Sequence, residues 1–163
     1  VGLSLAKGLA FTAGKPLVAV PTLDTIALCS SFSKYPVQAV LDAGRQKIYT
    51  ARYDTSSGEP ERRTAYQATT LDSLMDSVTE PIVFAGPGAR KYQTTINQAL
   101  GNNALFLPSE SSLRAASVAF LGRKTMHRGE QTSLYEVEPM YIRNPNFARP
   151  PAQPVSGAPH LAT

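Results

Sequence analysis

Val40–Tyr53 reads VLDAGRQKIYTARY. Two β-prone runs flank a glycine, which adopts positive φ without steric cost and so suits a tight turn. The runs extend outward as VQAVLDAG (37–44) and KIYTARYDT (47–55). In the second, Ile48, Thr50 and Arg52 alternate with Tyr49, Ala51 and Tyr53, so one face of the strand carries two tyrosines. The pattern predicts an antiparallel hairpin over Val37–Asp54 that turns near Gly44–Gln46.

Beyond the hairpin, SSGEPE (56–61) supplies turn residues and RRTAYQAT (62–69) reads as a third strand, completing an antiparallel meander. Thr69 or Thr70 then opens a helix through Leu71, Leu74, Met75 and Val78. PIVFAGPG (81–88) is a buried strand running into a glycine turn, followed by a helix over Ala89–Leu100 that Gly101 stops. ALFLP (104–108) is a short strand. Ser109–Gly129 reads as a long helix with Leu113, Ala116, Phe120 and Leu121 on one stripe. EPMYIRN (138–144) closes the folded part. The last twenty residues hold five prolines and no apolar periodicity, which predicts a disordered tail over 144–163.

Upstream of the hairpin, Val1–Ala13 reads as a helix in which Leu3, Leu5, Leu9 and Phe11 supply bulk. Gly2, Ala6, Ala10 and Ala13 make a stripe of small residues at helical spacing, which lets another helix approach closely. That stripe serves either a partner or the chain's own body; in the second case Ser4, Lys7, Gly8 and Phe11 are the residues left outward. Gly14 and Pro16 end the helix, and PLVAVP (16–21) reads as a short, wholly apolar strand of a covered sheet. Thr22 or Asp24 can cap a helix running to about Phe32. A meander continued by alternating helices and strands gives an α/β fold of ribonuclease-H-like type, the building block of actin-like ATPase folds.

The 163 residues suffice for a sizeable core, and 42% are hydrophobic against 17% charged. The net charge of +4 permits a nucleic-acid partner without requiring one. One local cluster, Arg123, Lys124, His127 and Arg128, reads as a solvated helix end or an RNA contact. Cys29 is the single cysteine and sits in an apolar run, which suggests a buried thiol and no oxidising compartment. No run reaches the length of a membrane span, and the expected location is cytoplasmic.

Catalytic signals are sparse. The two histidines, His127 and His160, have no partner at metal-ligand spacing, so no metal site is expected. A nucleophile elbow, a phosphate loop with Lys-Ser/Thr and a dinucleotide fingerprint are all missing from the sequence. AGPGA (85–89) follows a strand and precedes a helix; it is either a plain strand-to-helix turn or a place where backbone N–H groups approach a phosphate. Asp42 either caps the hairpin turn or sits near a metal–nucleotide, and no second acidic residue stands beside it in sequence.

Three stretches in order, VGLSLAKGLAFTAGKPLVAVPTLDTIA, VLDAGRQKIYTARY and EPMYIRN, resemble the TsaB/YeaZ group of the glycoprotease-like family, within the actin-like ATPase superfamily. The family's opening-helix motif is matched almost throughout. Its D-A-R-x-G-E-(V/I)-Y hairpin is matched at Asp42, Ala43, Arg45 and Tyr49, and its E-P-x-Y-(L/I)-R ending at Glu138, Pro139, Tyr141, Ile142 and Arg143. The hairpin departs from the pattern where Gln46 replaces the turn glycine and Lys47 the glutamate.

The resemblance implies an actin-like fold with the second lobe complete and the first lobe lacking its N-terminal strands, roughly a third of the usual chain lying before Val1. The implied divisions are a first-lobe remnant over 1–34, a second ribonuclease-H-like lobe over 35–130, a C-terminal return segment over 131–143 and the tail over 144–163. The implied function is a non-catalytic scaffold and dimerisation partner of a TsaD-type catalytic subunit in threonylcarbamoyladenosine modification of tRNA. A TsaE-type P-loop ATPase joins the complex, tRNA is met indirectly, and the chain alone pairs with itself. Partner contacts are expected at Gly2, Ser4, Ala6, Lys7, Ala10 and Phe11. Asp42, Arg45, Gly86 and Gly88 are expected near nucleotide. No cofactor is intrinsic, and ATP or ADP is expected only at the complex interface. The competing reading is a fragment of a small-molecule kinase of the same superfold, which needs a catalytic base and a Mg²⁺-holding carboxylate; only Asp42 is a candidate.

Overall fold

The computed structural model describes residues 1–107, 115–130, 133–140 and 142. The hairpin forms as expected. Strand β1 (Val37–Gly44) pairs antiparallel with β2 (Lys47–Asp54), from Val37 opposite Tyr53 to Gly44 opposite Lys47, with an irregularity between Asp42 and Gly44. The third strand of the meander is broken in two. β3 (Glu61–Arg62) pairs with the end of β2, and β4 (Gln67–Thr70) pairs with its start. Between them the Thr64 hydroxyl accepts the Arg52 N–H at 2.9 Å, so a side chain takes the place of a ladder bond.

β5 (Ile82–Ala85) runs parallel to β1, and β6 (Ala104–Phe106) parallel to β5. The order is β3-β2-β1-β5-β6, with β4 also on β2. Three antiparallel strands continued by parallel ones are the ribonuclease-H-like arrangement. Each face of the sheet buries its own cluster, as the two-residue period requires. Val37, Ala39, Ala51, Tyr53, Val83 and Ala85 pack against Leu23, Ile26 and Ala27 of α2 (Thr22–Leu28). On the opposite face, Val40, Ile48, Ile82 and Phe84 pack against Leu74 of α3 (Leu71–Asp76), Ala89 of α4 (Pro87–Lys91) and Ile96 of α5 (Gln93–Leu100).

Helix boundaries differ from expectation in several places, and α3 stops at Asp76, short of Val78. Thr22 is the first helical residue of α2 and Asp24 lies in its first turn, so neither caps it. The helix ends at Leu28, before Phe32, whose φ is +61°. The Ala89–Leu100 helix begins earlier, at Pro87, and breaks at Tyr92, where α5 starts again. Thr70 does cap α3, its hydroxyl accepting the Ser73 N–H at 3.2 Å.

PLVAVP is not a sheet strand. Pro16 and Pro21 lack N–H donors at its two ends, and the segment makes a single β-bridge at Leu17 without joining the six-stranded sheet as a strand. It lies beneath α6 (Ala115–His127), where a Cβ on Gly122 would meet the Val20 side chain at 3.5 Å. Ala116 and Phe120 of the expected inward stripe are exposed, whereas Leu121 is half-buried. Leu113, Tyr141, Arg143 and the proline-rich tail lie outside the described residues.

Candidate functional site

Helix α1 (Gly2–Thr12) has no buried residue. Its inner side is only half-covered, by Leu3, Ala6, Lys7 and Ala10. Gly2, Leu3 and Ala6 border an apolar cavity of about 730 Å³, whose other walls come from the Leu17–Leu23 segment, Leu41, Tyr49, Tyr66 and Val137. The Lys7 ammonium reaches across to donate to the Val137 carbonyl at 3.1 Å, pinning the helix to the C-terminal return segment. Two of the small-stripe residues, Ala6 and Ala10, thus turn toward the chain's own body. Lys7, expected on the outer side in that arrangement, turns with them, while Ser4, Gly8 and Phe11 are outward.

The outward ridge is more apolar than the small-residue stripe suggests. Leu5 and Leu9, one turn apart, are each 63% exposed, and Phe11, on the other flank of the helix, is 64% exposed. Leu5 and Leu9 were legible as bulky residues, but sequence alone does not tell which side of a helix lacking a polar face is buried.

The expected nucleotide-proximal residues divide into two groups. Asp42 lies at the end of β1. It accepts the Gly44 N–H at 3.1 Å and the Tyr92 hydroxyl at 3.0 Å, and pairs with Lys91. The bond from Lys91 is the foremost cause holding the Asp42 carboxyl below its ordinary range, followed by the Gly44 N–H and Tyr92. Arg45 stands at the tip of the turn, exposed.

Gly86 and Gly88 serve close packing. A Cβ on Gly86 would meet the Val40 carbonyl oxygen at 2.7 Å and Ile26 at 3.0 Å; one on Gly88 would meet Val40 and Leu41 at 2.8–2.9 Å. They let α4 and α2 close on β1 at the point where strand order reverses, the usual crevice of such sheets. Lys91 and Tyr92, which complete the Asp42 corner, carry no signal in the sequence, since the pairing spans about fifty positions.

A polar node joins the opposite face. Asp24 Oδ1 accepts from the hydroxyls of Tyr53 at 2.6 Å and Tyr66 at 2.8 Å, and the Arg62 guanidinium lies 4.0 Å over the Tyr66 ring. Burial first, and then the bond to Asp24, pushes the Tyr66 phenol up to about 12 and the Tyr53 phenol further up. Asp24 also borders a cleft of about 410 Å³ with Glu59, Glu61, Lys124 and Arg128 on its walls. Lys124 pairs with Glu59 and Arg128 lies 3.6 Å from it, so half of the basic cluster braces α6 against the turn after β2. Cys29 is half-buried, its Sγ 3.6 Å from the Thr25 carbonyl. Among the described residues no group of three His, Cys, Asp or Glu is placed to hold a metal, and no helix is long and apolar enough to cross a membrane.

These features define an α/β protein of actin-like, ribonuclease-H-like fold with an uncovered apolar helix. Two solved structures share that fold. A Pseudomonas aeruginosa protein described as similar to peptidase YeaZ superposes with a TM-score of 0.69 and 21% identity, over 87% of this chain and 66% of its own. YeaZ from Pseudomonas aeruginosa does so with 0.67 and 21%, over 85% and 65%. In sequence, the tRNA threonylcarbamoyladenosine biosynthesis protein TsaB of Bacillus subtilis (strain 168) is 26% identical over 147 residues, 88% of this chain. The chain spans 62% of that relative's length. The family model for TsaD, tRNA N6-adenosine threonylcarbamoyltransferase, matches residues 1–146. The chain belongs to this family, and it is a TsaB/YeaZ-like member.

Proposed function

We propose that this chain takes part in threonylcarbamoyladenosine modification of tRNA as a non-catalytic partner of a TsaD-type catalytic subunit, with a TsaE-type ATPase joining the assembly. The work on tRNA implies the cytoplasm. ATP or ADP belongs at the interface between subunits, with Asp42, Arg45, Gly86 and Gly88 on the near side. In this reading α1 is the docking helix, and without its partner two copies meet through the same face. The observation that carries the reading is the pair Leu5 and Leu9, one helical turn apart and each 63% exposed on a helix with no buried residue. Such an apolar face on a packed domain marks an interaction surface.

Co-expression with a TsaD-type subunit tests it. Leu5→Glu with Leu9→Glu is expected to weaken association by about tenfold or more, because charges would be buried without partners, while leaving the melting temperature of the isolated chain nearly unchanged. Undiminished co-purification of that variant would overturn the role of α1.

A further inference from the structure

Beneath α1 the usual order of sizes is inverted. Leu5, Leu9 and Phe11 are exposed, whereas the helix borders the cavity with Gly2, Leu3 and Ala6. A core closes when bulky side chains interdigitate. Here two of the three helix residues on the inner side are small, and the cavity measures about 730 Å³. Small-molecule sites run from roughly 300 to 1,000 Å³. The wall is not one flat face: α1, the segment before α2, the hairpin, α6 and the return segment all contribute to it.

The chemistry of the wall restricts what fits. Among the described residues that line it there is no lysine, arginine or histidine, and its one carboxylate is the exposed Glu138. A phosphate or carboxylate held there would be buried without a counter-charge. The cavity therefore suits an uncharged guest, and a nucleotide belongs elsewhere.

One polar group on the wall is unspent. Thr22, Tyr49, Tyr66 and Glu138 are the lining side chains that carry polar atoms. Thr22 and Glu138 are exposed to water, and the Tyr66 hydroxyl donates to Asp24 at 2.8 Å. Tyr49 is half-buried, and its hydroxyl makes no hydrogen bond to a described residue. A phenol in apolar surroundings calls for an acceptor.

We propose that this cavity binds a small, uncharged, largely apolar molecule with one hydrogen-bond acceptor of the ketone kind, which accepts from the Tyr49 hydroxyl. The site lies on the inner side of α1, away from the outer Leu5–Leu9 ridge, and is independent of the partner role proposed above.

The test uses Nile red, a neutral dye that fluoresces in apolar surroundings, titrated into the full chain. Benzophenone, diphenylmethane and diphenylacetate, which are alike in size, then compete with it. One dye per chain is expected, displaced by benzophenone. Ala6→Trp places an indole on the cavity side and should weaken the dye about tenfold or more. Tyr49→Phe removes only the hydroxyl; it should weaken benzophenone roughly three- to tenfold, the worth of one neutral hydrogen bond, and leave diphenylmethane unchanged. That conservative variant keeps the test intact if Ala6→Trp folds poorly. The anionic diphenylacetate should displace the dye at least about tenfold less well than diphenylmethane. Leu5→Glu with Leu9→Glu is the control for dye held on the outer ridge and should shift affinity less than about twofold. No saturable dye binding, or a loss in the ridge variant equal to that in Ala6→Trp, would overturn the proposal. So would unchanged discrimination between benzophenone and diphenylmethane in Tyr49→Phe, or displacement by diphenylacetate as strong as by diphenylmethane. Dye binding that fades as protein concentration rises would assign the cavity to a second copy of the chain and overturn it as well.

Discussion

The Tyr53 hydroxyl donates to Oδ1 of Asp24 across 2.6 Å, tying the centre of the sheet to the first turn of α2. Tyr53 is fully buried, and Tyr66 donates to the same oxygen from the connection between β3 and β4. One carboxylate thus fixes three separate stretches of chain. Tyr53→Phe removes one charge-assisted bond and is expected to cost about 1–2 kcal/mol; Asp24→Ala leaves two phenols without an acceptor and should cost about 2–3 kcal/mol. Urea denaturation measures both. A larger loss in Tyr53→Phe than in Asp24→Ala would contradict the arrangement.

The same node gives an alkaline signature. A tyrosine ionises near pH 10 in the unfolded chain, whereas Tyr66 is raised to about 12 and Tyr53 is raised further. The folded state therefore holds protons that the unfolded state has released. The contribution is complete below pH 10 and is lost as pH rises from 10 toward 12. Melting curves should show stability falling over that window, and absorbance titration of the folded chain should show two late phenols. Asp24→Asn should reduce the effect.

Gly86 and Gly101 make a matched comparison, since both have positive φ, +100° and +53°. A methyl on Gly86 runs into the Val40 carbonyl at 2.7 Å, but one on Gly101 meets nothing within 4 Å. Gly101, with ψ of −123°, lies outside the left-handed helical well, so Gly101→Ala should cost about 1–3 kcal/mol in backbone strain alone. Gly86→Ala carries similar strain and, because the Val40 backbone must also move, should cost about 1–3 kcal/mol more than Gly101→Ala. Similar melting temperatures for the two variants would show that α4 does not close on β1 as described.

Ala6→Leu is expected to be tolerated. A small-residue stripe in a tight helix contact would suffer about 1–3 kcal/mol from overpacking. Here Ala6 is half-buried and borders a cavity of about 730 Å³, so the added methylenes have space. The change should alter thermal stability by less than about 1 kcal/mol and leave the outer ridge untouched. A marked fall in melting temperature would mean that the cavity beneath α1 is closed in solution.

The hairpin, its two-tyrosine face and the order of the later elements were legible because a two-residue alternation and glycine punctuation are local signals. The break in the third strand was not, since it depends on Thr64 meeting Arg52 from twelve positions away. PLVAVP looked like a buried strand because apolar composition reports burial potential and not a pairing partner. Of the candidate site, Asp42 and the two glycines were legible as residues near a turn. That the glycines are consumed by packing, and that Lys91 and Tyr92 complete the corner, follows only from the three-dimensional approach of α4 to β1. On α1 the residue types were readable and the orientation was not, since no polar face marks the outer side.

The broken third strand also bears on how copies of this chain can misassociate. An exposed sheet margin is a template for adding strands from other molecules, and its hazard grows with the length of uninterrupted ladder. At one margin β3 offers two residues and β4 four, separated by an irregular stretch; at the other, β6 has three. An intruding segment would gain only a few backbone bonds at either side, against roughly 1–2 kcal/mol of conformational entropy for each residue it orders. Fibril-like growth by strand addition is therefore disfavoured at both ends of the sheet, even though α1 presents an apolar ridge.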